Sequence, residues 1–242
     1  MEQMVYGAGL GSAGWIAFWN KDTSIYVNDR HKQVHYATIA RDMADMLPKS
    51  GDARVLDFGC GEALSANLVA SRCRQLVLCD AASTVRDGLK RRVAQNPKIS
   101  VASHDEIAAL PDGSFDVIVA NSVVQYLKAD QLPAQFAQWR RLLTPEGQLI
   151  LGDIIPPNTG IVADVGALLR FAANNGFLLP AFIGLAKTFF SDYRTKRAEL
   201  GLLQLEEHAV IDAARNTGLT AVRHPKNIGH NPNRMTFIAN RI

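Results

Sequence analysis

Cysteine is scarce in this chain. Its 242 residues hold three, Cys60, Cys73 and Cys79. The count is odd and no spacing resembles a metal knuckle, which argues against a disulfide framework and a zinc ribbon alike. Reduced thiols in a cytoplasmic protein are the expectation. Charge of one sign is also missing: 26 Lys and Arg against 23 Asp and Glu leave a formal net charge of +3. The densest basic run, LKRRVAQNPK at 89–98, contains no aromatic and reads as the solvated face of a helix. With no basic stripe and no reader motif, nucleic acid is not an expected partner. Long apolar runs are absent as well. The opening MEQMVYGAGLGSAGWIAFW is too short and too broken by glycine to span a membrane. It lacks the basic n-region of a signal peptide, so stable membrane insertion is not expected. No internal repeat is present. What remains is an ordinary globular balance in a length that suits one domain with embellishments.

Within that balance, apolar runs and helical patterns alternate. Asn28 is placed to cap a helix running to about Leu47, with Val34, Ile39, Met43 and Met46 on its apolar face. ARVLDFG reads as a buried strand, EALSANLVASRC as a helix and QLVLCD at 75–80 as a second strand. STVRDGLKRRVAQN puts Val85, Leu89 and Val93 on one helix face. ISVAS, FDVIVAN and QLILGDII read as strands three to five, with the helix DQLPAQFAQWRRLLTPEG before the fifth. Strands alternating with helices imply a parallel sheet with right-handed crossovers. Residues 156–204 break the rhythm with two helices and no strand. In the second, Phe182, Ala186, Phe189 and Tyr193 share a face, and Leu179, Ile183 and Phe190 lie off it. The helix EEHAVIDAARNTG and a closing strand pair, LTAVRHPKNI and RMTFIAN, finish the pattern. The expected fold is α/β, a Rossmann-like, mostly parallel seven-stranded sheet with helices on both faces and a helical insertion after the fifth strand. Its expected parts are an N-terminal helical cap (1–49), a cofactor-binding core (50–155), the insertion (156–204) and the C-terminal part of the sheet (205–242).

The stretch VLDFGCGEA at 55–63 carries the chemistry. Gly59 and Gly61 allow backbone conformations and a close approach that side chains would forbid. Asp80, at the end of the second strand, is placed to accept both hydroxyls of a ribose. A dinucleotide loop would carry a third glycine where Leu64 stands. It would also place pyrophosphate against Asp57, which repels it. A cofactor with an ammonium and a sulfonium would be attracted instead. A plain strand-to-helix turn with no ligand is the bland alternative.

VLDFGCGEA, LPDGSFDVIVANSVVQYL and RLLTPEGQLILGD, in this order and spacing, closely resemble the class I S-adenosylmethionine-dependent methyltransferases. The resemblance covers residues 50 to 155 well and 205 to 242 loosely. It implies S-adenosyl-L-methionine as cofactor, with Asp57, Gly59, Cys60 and Gly61 along its methionine part. Asp80 would hold the ribose and Ala81 would lie beside the adenine. Asp105, Glu106 and Ile107 would meet the adenine amine, and Asn121 and Ser122 would lie under the methionine chain. Ala63 departs from the family pattern, where a glycine is common, and puts a strained backbone there in doubt.

Methyl transfer is an in-line displacement at a carbon already activated by its sulfonium, so alignment and water exclusion are the main demands. No unmistakable general base stands out. His35, Tyr36, Tyr126 and His230 are the candidates to border the acceptor, a small and partly apolar molecule. His31 and His35 sit one helical turn apart, yet no third metal ligand accompanies them, so no metal is expected. NIGHNPNRM at 227–235 has more polar variety than a turn requires and is a second candidate for touching substrate. The insertion reads as a lid, a homodimer contact or both. Two alternatives stay open: a catalytically silent cofactor-binding regulator and a nicotinamide oxidoreductase.

Overall fold

The computed structural model describes residues 13–20, 26–157, 159–189 and 201–242. Seven strands form one sheet in the order β3-β2-β1-β4-β5-β7-β6. They are β1 (Arg54–Phe58), β2 (Gln75–Cys79), β3 (Ile99–Ala102), β4 (Phe115–Asn121), β5 (Leu143–Ile154), β6 (Leu219–His224) and β7 (Met235–Arg241). The first five are parallel, and β7 runs antiparallel between β5 and β6. β1 and β4 are apolar because both faces are covered: Val55, Leu56, Phe58 and Val117 through Ala120 are buried. The strand order reverses between β1 and β4, which opens a crevice at the carboxyl ends of these strands.

Two helix starts follow local capping chemistry closely. α1 (Ala13–Trp19) precedes α2 (Asp29–Met46), whose N-cap Asn28 accepts the His31 amide at 2.8 Å. α3 (Ala66–Ala70) is much shorter than its sequence pattern suggests, because residues 59–65 are occupied by the glycine loop. α4 (Ser83–Val93) buries Leu89 and Val93, and α5 (His104–Ala108) is opened by a capping box between Ser103 and Glu106. α6 (Leu132–Leu142) buries Phe136 and Trp139. The following TPEG stretch is part of β5 rather than a turn, and the register shifts where it pairs with β4. Two apolar clusters cover the two faces of the sheet, one around Trp139 and Phe237, the other around Met43 and Leu89.

The insertion forms α7 (Ile161–Asn175) and α8 (Leu178–Phe189), with Gly176 in the left-handed region between them. It has its own small core of Ala172, Phe177 and Ala181, packed against Val27. Gly184 lets α8 press on Val27, where an added Cβ would lie 2.3 Å from a methyl carbon. Leu179, Phe182 and Ile183 face outward on α8. The expectation for Phe190 and Tyr193, and for the side chains of Ala186 and Phe189, lies outside the described residues. α9 (Glu207–Arg215) then leads into β6, and Gly218 sits between them. Among the described residues no helix is long and apolar enough to cross a membrane.

Candidate active site

A cavity of about 730 Å³ opens at the carboxyl ends of the central strands, within the range of small-molecule sites. At one end lies the glycine loop. Gly59 (φ +73°) and Gly61 (φ +56°) both sit in the left-handed region. A Cβ on Gly59 would lie 2.4 Å from a Val123 methyl, and one on Gly61 would lie 2.9 Å from the Tyr36 hydroxyl. Both positions therefore need glycine twice over, for conformation and for space. Ala63 holds a φ of +40° in the same loop, so the strained backbone is kept without a glycine.

Asp80 fixes the loop to β2. One carboxylate oxygen accepts the Gly61 amide at 3.0 Å and the other accepts the Ala82 amide at 2.8 Å. Tyr36 reaches across from α2, and its hydroxyl accepts the Glu62 amide at 3.0 Å. Asp57 is buried at the end of β1, and no hydrogen bond or ion pair reaches its carboxylate among the described residues. Burial, with the charge of Asp80 added, pushes it up to about 7. A buried carboxylate so poised is stabilised by an incoming cation. Cys60 is buried beside it, and burial pushes its thiol up, which makes it a poor nucleophile.

The predicted cofactor residues divide by position. Asp57, Gly59, Cys60, Gly61, Asp80, Ala81, Asn121 and Ser122 all line the cavity. Asp105, Glu106 and Ile107 do not: Asp105 is exposed, Glu106 is committed to the Ser103 capping box, and Ile107 is in the core. From that turn His104 lines the cavity instead, its ring stacked on Phe58 at 4.6 Å. Its Nε2 is buried with no partner among the described residues.

The other end is aromatic. α1 lays Trp15, Ile16 and Trp19 over the cavity, and Trp15 meets Tyr126 with ring centroids 4.9 Å apart. Asn20, at the end of α1, accepts from Ser83 and Thr84 at the start of α4, which anchors this cover. Tyr26, His35, Tyr36 and Tyr126 complete the wall. His35 is held down to about 3 by burial and by the neighbouring His230 and His31, so it is neutral. His230 stands away from this cavity, stacked on Phe171 of α7 at 4.4 Å. Among the described residues no cluster suited to a metal ion is present.

Sequence reasoning passed over Asp153 and Gln125, which also line the cavity, and did not single out Arg234 from its loop. Asp153 follows Gly152 at the end of β5 with a φ of +59°, and its carboxylate accepts the Ser122 hydroxyl at 2.7 Å. Ser122 itself has a φ of +58°. Among the described residues the three non-glycine positions with positive φ are Ala63, Ser122 and Asp153, and all three line this cavity. Such strain persists only where the surroundings impose it and is concentrated at functional sites. The 227–235 segment braces the site, and its Arg234 lines the cavity. Asn227 accepts the Asp153 amide and the Thr236 hydroxyl, while Asn231 and Arg234 both bond Asp164 of α7.

Residues 56–151 match a family model described as a methyltransferase domain. The chondramide synthase of Chondromyces crocatus is 34% identical over 110 residues, which are 43% of this chain and 3% of the synthase. An uncharacterised methyltransferase of Mycobacterium bovis is 26% identical over 125 residues, 52% of this chain and 60% of that protein. The chain thus matches less than two thirds of the length of these relatives. In fold it resembles magnesium protoporphyrin IX methyltransferase from Synechocystis PCC 6803, solved with bound S-adenosylhomocysteine, at a TM-score of 0.58 and 15% identity over 95% of this chain and 93% of that one. Residues 56–151 thus match a methyltransferase domain, set inside a seven-stranded sheet whose fold is that of solved methyltransferases.

Proposed function

We propose that this chain transfers a methyl group from S-adenosylmethionine to a small, partly apolar acceptor held under α1. The supporting observation is the continuity of one cavity from the Gly59–Gly61 loop and Asp80 to the rings of Trp15, Trp19 and Tyr126. The cofactor supplies a methyl carbon activated by a sulfonium. The chain supplies the rest. Asp80 faces the nucleoside end, the glycine loop lets the cofactor lie close to the backbone, Asp57 offers a negative charge to the ammonium end, and His104 faces the remaining polar edge.

At the far end, the aromatic wall favours a planar or apolar acceptor body and excludes water, which otherwise competes for the site. Asn121 and Ser122, at the tip of β4, stand between the two ends. Gly152 leaves room for Asn121, whose side-chain oxygen would lie 2.3 Å from any Cβ there. A catalytically silent regulator would share the cofactor end but has no use for strained polar residues at the acceptor end. A nicotinamide enzyme would have to place pyrophosphate against buried Asp57.

Calorimetric titration with S-adenosylhomocysteine and with NAD tests the reading. Binding of the first alone, weakened at least tenfold in Asp80→Ala, is the expected result. Equal binding of NAD, or no binding of either, would overturn it.

A further inference from the structure

Four kinds of group line the cavity with chemistry not yet assigned: His35, the tyrosines, Asp153 and Arg234. His35 is buried among His31, His230 and Tyr36 and is held far below its ordinary value, so it accepts a proton poorly. The Tyr36 hydroxyl is already engaged by the Glu62 amide and is pushed up to about 12 by burial. Asp57 and Asp80 belong to the cofactor end. Asp153 is different. It stands at the tip of β5, next to the tip of β4, in a left-handed conformation that turns it out of the strand. It remains partly exposed within the cavity. The Ser122 hydroxyl holds one carboxylate oxygen, and the Asn227 side chain accepts its backbone amide, so its position is set from two sides.

Arg234 is the second observation. Its side chain is 9% exposed and lines the same cavity, and only its Nη2 has a partner, Asp164 at 2.7 Å. Its Nε and Nη1 are buried with no hydrogen-bond partner among the described residues. Asp164 compensates the Arg234 charge from one side only, and the two N–H groups without a partner leave the guanidinium able to act on other neighbours. Its positive charge acts on Asp153, and Asp164 opposes it. The result is a carboxylate desolvated enough to bind a proton more strongly than usual, yet beside a cation that limits the rise.

We propose that Asp153 is the catalytic base of the reaction and that the acceptor is a hydroxyl on an aromatic or similarly planar apolar body. This rests on the methyltransferase reading above. The acceptor oxygen forms a bond to the methyl carbon as the carbon–sulfur bond breaks, its electron pair staying on sulfur. The hydroxyl proton passes to a carboxylate oxygen of Asp153. Ser122 orients that carboxylate, and the rings of Trp15, Trp19 and Tyr126 hold the acceptor body. A hydroxyl acceptor needs such a base, since its neutral oxygen is a weak nucleophile.

The test uses the full chain with a panel of substituted phenols, matched thiophenols and matched anilines, and with 4-nitrophenol as an optical probe in the presence of S-adenosylhomocysteine. Asparagine tolerates a left-handed backbone, so Asp153→Asn is expected to fold and to bind S-adenosylhomocysteine within about threefold of the parent. Phenol methylation should fall by a hundredfold or more, in line with the loss of a general base. Bound 4-nitrophenol should have its apparent pKa raised by the neighbouring carboxylate in the parent, and this shift should shrink in Asp153→Asn. Asp153→Gly, with the same backbone tolerance, should regain part of its rate with added formate. Unchanged turnover in Asp153→Asn overturns the proposal, as does a parent enzyme that binds S-adenosylhomocysteine but methylates no phenol in the panel. If the parent binds no S-adenosylhomocysteine, the methyltransferase reading itself fails and this assignment with it.

Discussion

The hydroxyl of Tyr36 lies 2.9 Å from the point where a Cβ on Gly61 would stand, and it accepts the amide of the next residue, Glu62. One side chain from α2 thus both supports the glycine loop and sets its size limit. Gly61→Ala should lower the melting temperature and cut S-adenosylhomocysteine affinity at least tenfold, since it meets a φ of +56° as well as this contact. Tyr36→Phe should cost roughly 1–3 kcal/mol of stability by thermal or denaturant unfolding, since it removes the hydroxyl's bonds with the Glu62 amide and with Tyr26. An affinity unchanged in Gly61→Ala would separate the loop from the cofactor.

Asp57 gives the site a proton signature. Its folded value of about 7 stands above the ordinary carboxylate value, because burial and Asp80 disfavour the charge. In the cofactor-free protein its contribution to stability is therefore present at low pH and lost as pH rises toward 7. A bound ammonium would favour the ionised form. Binding of S-adenosylhomocysteine at pH 6.5 should release up to about one proton, and release should vanish near pH 8 and in Asp57→Asn. Calorimetry in buffers of different ionisation enthalpy measures this directly.

Three histidines tie α2, the insertion and the β6–β7 loop together. His31 stacks on Phe177 with centroids 5.0 Å apart, His230 stacks on Phe171, and the His35 and His230 rings are 5.8 Å apart. Burial holds His31 and His230 to about 4 and His35 to about 3. For such groups stability is full above the ordinary histidine value and is lost as pH falls from about 6.5 toward these values. Each group adds up to about 1.4 kcal/mol per pH unit within that window. Replacing His230 with phenylalanine, which keeps the ring against Phe171, should flatten the acid side of the stability–pH curve relative to the parent. Identical curves would remove the cluster from the acid response.

Asn227→Ala should separate the two ends of the cavity. It leaves the Asp153 amide and the Thr236 hydroxyl without their acceptor, at a cost of about 1–3 kcal/mol. Turnover should drop more than S-adenosylhomocysteine affinity does, read from kcat beside a binding titration. An equal loss in both would indicate general unfolding rather than misplacement of Asp153.

The cofactor end was legible in the sequence because it is local. Gly59, Gly61 and Asp80 lie at strand ends whose apolar runs announce themselves, and their chemistry follows from residue type and spacing. The acceptor end was legible only in part: His35, Tyr36 and Tyr126 were named and line the cavity, while Trp15 and Asp153, far apart in the chain, meet it only through sheet order. Asp153 hid inside a strand-like run, QLILGDII, where an aspartate reads as a boundary. Its positive φ leaves no mark in composition. His230 looked like a site residue for its polarity, but Phe171 claims its ring. At 105–107 the two acids drew attention away from the Ser103-x-x-Glu106 spacing, which is the signature of a capping box.

Strand order also sets the length of chain that each pairing must close. β1 to β5 join through successive crossovers, and their ends carry Asp57, Asp80, Ser122 and Asp153. β7 enters later, between β5 and β6, and completes its pairing with residues 148–154 only after a connection of about eighty residues has closed. The bracket of Asn227 and Arg234 arrives with it. The strands that carry Asp57 and Asp80 pair through shorter connections than the one that brings Asn227 to Asp153, so a ligand held between Asp57 and Asp80 would stabilise the more locally connected half of the sheet.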